Sequence, residues 1–284
     1  MSRIVYVNGE FVAEEDAVIS VFDRGFLFAD AVYEVSSVLQ GKLIDNAAHI
    51  KRLHRSLGEL SMSAPISDDE IRRVQHELIK RNNLVEGLVY LQVTRGTADR
   101  DFPFPADAKP GIVMFSQVKN ITNAPQAQAG ISVISVPDIR WKRRDIKSVG
   151  LLAQVLAKQA AVDAGVTDAW MIEDGYVTEG SSNNAFIVDA QGKLITRHLG
   201  NEILPGITRA SVLELVEQEN IVFEERAFTL DEAKNAREAF ITSASTFVWP
   251  VVSIDGTSIG DGKPGSLAPR LRKFYIRNSL ARAE

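Results

Sequence analysis

The sequence contains no cysteine, which excludes disulfide frameworks, thiolate nucleophiles and thiolate metal sites but leaves the compartment open, since extracellular proteins also do without it. Histidine is scarce, with four residues in all. His49 and His54 share a helical stretch but stand five apart, on different faces, and no two histidines pair at metal-binding spacing beside a carboxylate, so no metal is expected. No apolar run approaches the roughly 20 residues needed to span a bilayer. The opening MSRIVYVNGEF lacks the basic-then-apolar layout of a signal peptide, and a cytoplasmic protein that engages no membrane is expected. Excess positive charge is missing too: the formal net charge of −5 gives no drive toward nucleic acid or anionic lipid. There is no internal repeat and no low-complexity tract.

What is present is ample material for a core, with 45% hydrophobic and 24% charged residues in 284. Strands dominate the first forty-five residues: Ile4 to Val7 and Glu10 to Val12 flank Asn8-Gly9, a pair suited to the positive φ of a tight hairpin. Ala31 to Leu39 and Lys42 to Asp45 flank Gln40-Gly41 in the same way. Ile50, Leu53, Leu57 and Leu60 recur at helical spacing, and Ser67 with Glu70 forms a capping box ahead of Ile71, Val74 and Leu78. Strands return at Leu88 to Thr94 and Ile112 to Val118. The polar stretch Lys119 to Gly130 marks a boundary, predicting a small N-terminal α/β domain over 1–119, a linker over 120–130 and a larger C-terminal domain over 131–284.

The second half interleaves its elements. Expected are strands over Ile131 to Val136, Ala169 to Ile172, Asn184 to Asp189, Lys193 to Thr196 and Phe240 to Thr242, with a hairpin turn at Asp255-Gly256. Helices are expected from about Gly150 to Ala164, from Thr208 onward, after the Thr229/Glu232 capping box, and over Leu271 to Leu280.

Lys147 closes the run WKRRDIK and precedes Ser148 to Ala157, ten residues without charge, which places it where a cationic surface gives way to a buried helix start. Burial lowers a lysine pKa and makes the amine able to form an imine. Read alone, Lys147 is equally one more solvated cation in a basic stretch. In TEGSSNNAF, Glu179 stands among small hydroxyl and amide residues just before a strand. Such a carboxylate suits the ring nitrogen of a pyridoxal-type cofactor, whose protonated ring withdraws electrons from a substrate carbanion; a polar β-turn with a solvated glutamate is the plain alternative. Leu204-Pro205-Gly206-Ile207-Thr208 opens a helix whose N-terminus favours an anion. A second turn, Thr242 to Thr246, follows a short strand and offers more hydroxyls, although such caps are common without a ligand.

Taken together, the segments FADAVYEV, HIKRLHRS, VYLQVTRG, DIRWKRRDIKS, VLAKQAA, VTEGSSNNAF, LPGITR and ITSAS resemble, in order and spacing, the fold-type-IV pyridoxal-phosphate enzymes over nearly the whole chain. The nearest likeness is to the D-amino-acid aminotransferases. The resemblance implies a mixed α+β and α/β two-domain fold and pyridoxal 5'-phosphate as cofactor. It also implies a ping-pong transamination between a D-amino acid and a 2-oxo acid such as 2-oxoglutarate or pyruvate, and a homodimer. By position it implies Lys147 as the Schiff-base lysine and Glu179 as the partner of the pyridine nitrogen, with Arg140 behind it. Arg52, Ile207, Thr208 and Ser243 fall near the phosphate. Gly206 lets the backbone approach, and Ala244, often threonine in the family, can offer only its amide. Ser182, Asn184 and Leu204 line the cofactor.

Tyr33, Val35, Tyr90 and Arg100 are implied on the substrate side, with Tyr33, Tyr90 and Arg100 at the positions that hold the α-carboxylate. There the family carries a histidine two residues after the arginine, and this chain has Arg100-Asp101-Phe102. Phe102 cannot donate a hydrogen bond and Asp101 is placed to offset the arginine, so the carboxylate trap is altered. Branched-chain aminotransferases, aminodeoxychorismate lyases and R-selective amine transaminases share the fold and cofactor, and stay open as alternatives.

Overall fold

A computed structural model describes residues 2–284. The chain divides into two compact units.

The first unit runs to Asn120 and takes in Ile146–Gly150 and Arg282–Glu284. Its elements are β1 (Ile4–Val7), β2 (Glu10–Ala13), α1 (Arg24–Phe28), β3 (Ala31–Leu39), β4 (Lys42–Ile44), α2 (Asn46–Glu59), α3 (Asp68–Arg81), β5 (Glu86–Thr94) and β6 (Gly111–Val118). The six strands form one antiparallel sheet in the order β2-β1-β6-β5-β3-β4. Asn8 and Gly9 turn the first hairpin at φ 48° and 109°, as their types require. Alternation along the strands gives the sheet two different faces. Val32, Val38, Val89, Leu91, Val93, Ile112 and Met114 share a buried cluster with Ile50, Leu53 and Leu57 of α2 and Ile71, Val74 and Leu78 of α3. Tyr33, Val35, Tyr90 and Gln92, only partly buried, alternate with those residues.

Ser67 caps α3 by accepting from the Glu70 N–H at 3.3 Å. The inserted segment 146–150 runs beside β3: the Tyr33 N–H donates to the Lys147 carbonyl at 3.0 Å and the Val149 N–H to the Ala31 carbonyl at 3.1 Å.

The second unit holds Ile121–Asp145 and Leu151–Ala281. It contains α4 (Pro125–Ala129), β7 (Ile131–Pro137), α5 (Leu152–Asp163), β8 (Asp168–Glu173), β9 (Tyr176–Gly180), β10 (Asn184–Val188) and β11 (Leu194–Thr196). These are followed by α6 (Ile207–Gln218), β12 (Phe223–Glu225), α7 (Leu230–Lys234), β13 (Glu238–Ser243), β14 (Phe247–Ile254), β15 (Thr257–Ser258) and α8 (Leu267–Ala281). Its strands form one mixed sheet ordered β12-β11-β10-β13-β14-β7-β8-β9, with β15 on β14. The central strands are buried on both faces: β10 reads NAFIV with every residue buried. The Thr229/Glu232 capping box is complete, with both reciprocal bonds present.

Three expectations change. The polar stretch at 119–130 includes a short helix, and Ile121, Ala124 and Ala127 are buried, because small apolar residues interleave with the amides. Glu179 lies inside β9 rather than in the turn after it. The helix after Lys147 does not start buried: Leu152 is 72% exposed, and Val155 and Leu156 are also exposed, while only Ala157 and Ala161 are buried. A run without charge is not by itself a buried run.

Candidate active site

In the second unit the chemistry gathers around Glu179. It is 4% exposed, held from three sides. Arg140 donates from Nη1 to Oε1, the Asn184 amide donates to Oε2 at 2.9 Å, and the Leu204 N–H reaches the carboxylate at 3.2 Å. Asn184 also donates to the Leu204 carbonyl at 3.0 Å, so one side chain ties the carboxylate to the segment before α6.

Arg140 is itself clamped by Asp138, which accepts from Nε at 3.0 Å and Nη2 at 2.7 Å and also from the Thr178 hydroxyl at 2.7 Å. Burial pushes the Glu179 carboxyl above its ordinary value, with the Asp138 charge in the same direction; Arg140 and the Leu204 N–H oppose this without cancelling it. The result is an anchored carboxylate with raised affinity for a proton.

Two residues beyond Leu204, Gly206 precedes α6 without a side-chain cap, leaving the first amides of that twelve-residue helix directed outward where an anion is favoured. A Cβ added to Gly206 would lie 2.0 Å from Asn184 Oδ1, so only glycine permits the approach. Thr208 is buried just inside the helix. Asn184 pairs with Thr242 across β10 and β13, and the Thr242 hydroxyl is buried with no partner.

Next to it Ser243 Oγ lies 2.8 Å from Thr246 Oγ and 3.3 Å from Ser245 Oγ, in the turn that holds Ala244. The turn is backed by Arg272 of α8, whose buried guanidinium donates to the carbonyls of Thr246 at 2.6 Å and Val248 at 3.2 Å. Ser182, by contrast, is exposed at the tip between β9 and β10 and is not brought to the carboxylate. A basic ring nitrogen and a phosphate fit this donor set: a proton-hungry carboxylate, then amides and hydroxyls at a helix start.

In the first unit, Lys147 is half-buried with its Nζ 4.0 Å from the Tyr33 ring centre, and its N–H donates to Ser56 of α2 at 3.3 Å. Tyr33 stacks on Tyr90 at 5.5 Å and Tyr90 on Phe115 at 4.7 Å. Val35 faces Tyr90 across the β3–β5 ladder. Tyr90 donates its hydroxyl to Gln92 at 2.8 Å, and burial drives its pKa well above the ordinary range.

Arg52 occupies the helix side of the sheet, where Nε and Nη2 grip Glu34 at 2.7 and 2.8 Å and His49 Nδ1 lies 2.8 Å from the same carboxylate. Burial would raise the Glu34 carboxyl, but Arg52 and His49 hold it far below its usual value. Arg100 stands on the loop after β5, close to Phe28 and Phe102. Asp101 places its carboxylate on the Phe102 N–H at 2.8 Å.

The sequence patterns missed Glu34, His49, Gln92, Asp138 and Thr178. Glu34 had a signal: it alternates in register with Val32, Ser36 and Val38, and a carboxylate on that apolar face requires a buried cation.

A family model described as Amino-transferase class IV matches residues 31–254. The chain belongs to the class-IV aminotransferases. Members of this family use pyridoxal phosphate and act on amino acids and 2-oxo acids. D-alanine aminotransferases are similar along nearly the full length: that of Staphylococcus aureus (strain N315) is 38% identical over 95% of this chain and 96% of its own. That of Bacillus licheniformis is 39% identical over 97% and 96%.

Among solved structures, a branched-chain amino acid aminotransferase from Escherichia coli matches with TM-score 0.92 at 23% identity, over 100% of this chain and 97% of that one, which shows the shared fold. A T.th. branched-chain amino acid aminotransferase with pyridoxamine 5'-phosphate matches with TM-score 0.90 at 26% identity, over 99% and 95%. The mixed two-domain fold-type-IV architecture expected from the sequence is thus the fold of this class-IV aminotransferase.

Replacing Glu179 by glutamine should leave the chain able to take up cofactor but slow the amino-acid half-reaction roughly ten- to a hundredfold, since a hydrogen bond to a charged group is worth about 1.5–3 kcal/mol. Stopped-flow absorbance on the loaded variant checks this, and a rate equal to that of the parent would remove Glu179 from the chemistry.

Proposed function

We propose that this class-IV aminotransferase exchanges the amino group of D-amino acids with a 2-oxo acid, 2-oxoglutarate or pyruvate, by a ping-pong reaction at pyridoxal phosphate. One observation carries the substrate class: identity of 38% to a D-alanine aminotransferase is sustained over 95% of the chain. Branched-chain enzymes share the fold with lower identity, 23% and 26%, and this favours the D-amino-acid reading.

Bound pyridoxal phosphate supplies an aldehyde that captures amines and a ring that accepts electrons from the substrate Cα. Lys147 would provide the amine that holds the cofactor and, once released, the base that takes the proton from the substrate Cα and delivers it to the cofactor C4′ carbon. Its anchored backbone and the Tyr33 ring under Nζ limit where that amine can swing. Glu179 keeps a proton on the ring nitrogen, and Arg140 anchors Glu179 in its buried setting. The amides of Ile207 and Thr208, the Ser243 hydroxyl and the Ala244 amide bind the phosphate, with Arg52 as its cation. Gly206 gives the backbone access, while Leu204 and Asn184 border the ring. Tyr33, Val35 and Tyr90 line the substrate side, and Arg100 reads the carboxylate by a two-pronged salt bridge.

Association of two copies is part of this reading. Leu152, Val155 and Leu156 leave an apolar stripe on α5 of a kind that marks a protein interface. Sedimentation equilibrium should give twice the chain mass, and a monomer at micromolar concentration would contradict it.

Lys147→Ala should lose at least roughly a hundredfold in steady-state turnover of D-alanine with 2-oxoglutarate and keep the parental circular-dichroism spectrum, because the bond from its backbone N–H to Ser56 does not need the side chain. A variant that folds normally and keeps most of the parental turnover would exclude Lys147 as the catalytic amine.

A further inference from the structure

The loop after β5 that carries Arg100 is fixed by buried charge. Arg24 opens α1 and is only 3% exposed. Its Nε donates to Asp30 Oδ2 at 2.9 Å, its Nη1 to the Asp101 carbonyl at 2.6 Å and its Nη2 to the Phe102 carbonyl at 3.3 Å. The Arg24 N–H donates to the Gly96 carbonyl at 2.9 Å, so the residue grips the loop both before and after Arg100. Arg95 shares Asp30 Oδ2 at 2.7 Å and is tied down at the Leu60 carbonyl at 2.7 Å. Burial of Asp30 would raise its carboxyl, but Arg95 and Arg24 together hold it below the ordinary value.

The Arg100 guanidinium carbon lies 5.4 Å from the Phe28 ring centre and 5.7 Å from that of Phe102. The two rings are 5.6 Å apart, tilted by 51°. Arg24 itself lies over Phe28 at 4.6 Å. A guanidinium beside aromatic faces keeps its N–H edges for a carboxylate.

We propose that Arg24, Phe28 and Phe102 are specificity-determining positioning residues, with Arg24 fixing the main chain of residues 101–102 and the two rings carrying the Arg100 guanidinium in the orientation that receives a substrate carboxylate. The proposal rests on the reading of Arg100 as the carboxylate-binding group. It makes recognition of the carboxylate depend on one aromatic-supported arginine, so selectivity for amino acids over amines follows the packing of Phe102.

The test measures kcat and KM of the cofactor-loaded parent and of Phe102→Ala, Arg24→Met and Arg100→Ala with D-alanine and with (R)-1-phenylethylamine, which has no carboxylate. Phe102→Ala should raise the KM for D-alanine about two- to fivefold, the span of an exposed cation–π contact. Arg24→Met should raise it roughly tenfold or more, for loss of charge-assisted hydrogen bonds. In both, the ratio of specificity constants for D-alanine over the amine should fall in step, and Arg100→Ala should lower that ratio furthest.

Phe102 is 75% exposed, so its truncation decides the matter even where Arg24→Met fails to fold. A parental ratio in Phe102→Ala beside a lowered one in Arg100→Ala would overturn the proposal and leave Arg100 as the carboxylate reader. A fall in kcat for both substrates with the ratio unchanged would likewise overturn it, as support of the fold alone. A parental ratio in Arg100→Ala would overturn the reading beneath it.

Discussion

A carboxylate can be buried at Glu179 only because a cation is buried against it. Removing one member of such a pair leaves an uncompensated charge, typically costing about 3–5 kcal/mol, so the arrangement around Arg140 is a strong constraint on the second unit. Arg140 does not serve Glu179 alone, since two of its nitrogens are committed to Asp138. That division leaves the Glu179 carboxyl raised by burial, with Arg140 opposing the shift. Three secondary-structure elements meet the requirement: β9 supplies Glu179, the bend after β7 supplies Asp138 and Arg140, and β10 supplies Asn184, which reaches across to Leu204. The same link sets Leu204 three residues before the first residue of α6, so the buried carboxylate and the uncapped helix start are fixed by one short stretch of chain.

The first unit solves its problem through the two faces of a strand. In β3, Tyr33 and Val35 point to the side of Tyr90 and Gln92, whereas Glu34 points into the α2 side and meets His49 and Arg52. Successive residues thus carry an aromatic platform on one face and a buried ion cluster on the other. The cluster continues as a hydrogen-bonded polar layer in which the Ser36 hydroxyl donates to Asn46, and Asn46 and Gln75 exchange bonds at 2.8 and 3.1 Å. Fully satisfied groups of this kind favour one packing over near alternatives, which keeps Arg52 in one place.

Much of this was legible in the sequence where local physics decides. Hairpins at Asn8-Gly9 and Asp255-Gly256, the helices with period 3.6, and the Thr229/Glu232 box all follow from short-range rules. α1 was not legible, because five residues are too few to show a period, and its importance lies in Arg24, whose partners are 77 and 78 residues away. β14 contains Pro250, a residue that argues against a central strand. Around the candidate site, Glu179 and Lys147 stood out by their neighbours in sequence, whereas Asp138 acts through contacts that only folding creates. The uncharged stretch after Lys147 misled for a related reason: composition reports apolarity, and burial depends on what packs against it.

The central claim is transamination of D-amino acids. Its most direct test is the initial rate of pyruvate formation from D-alanine and from L-alanine, each with 2-oxoglutarate and the pyridoxal-phosphate-loaded parent. The account predicts rapid formation from D-alanine and a rate at least roughly a hundredfold lower from L-alanine, a difference of about 2.7 kcal/mol in transition-state binding. A rate with L-alanine equal to or above that with D-alanine would contradict it.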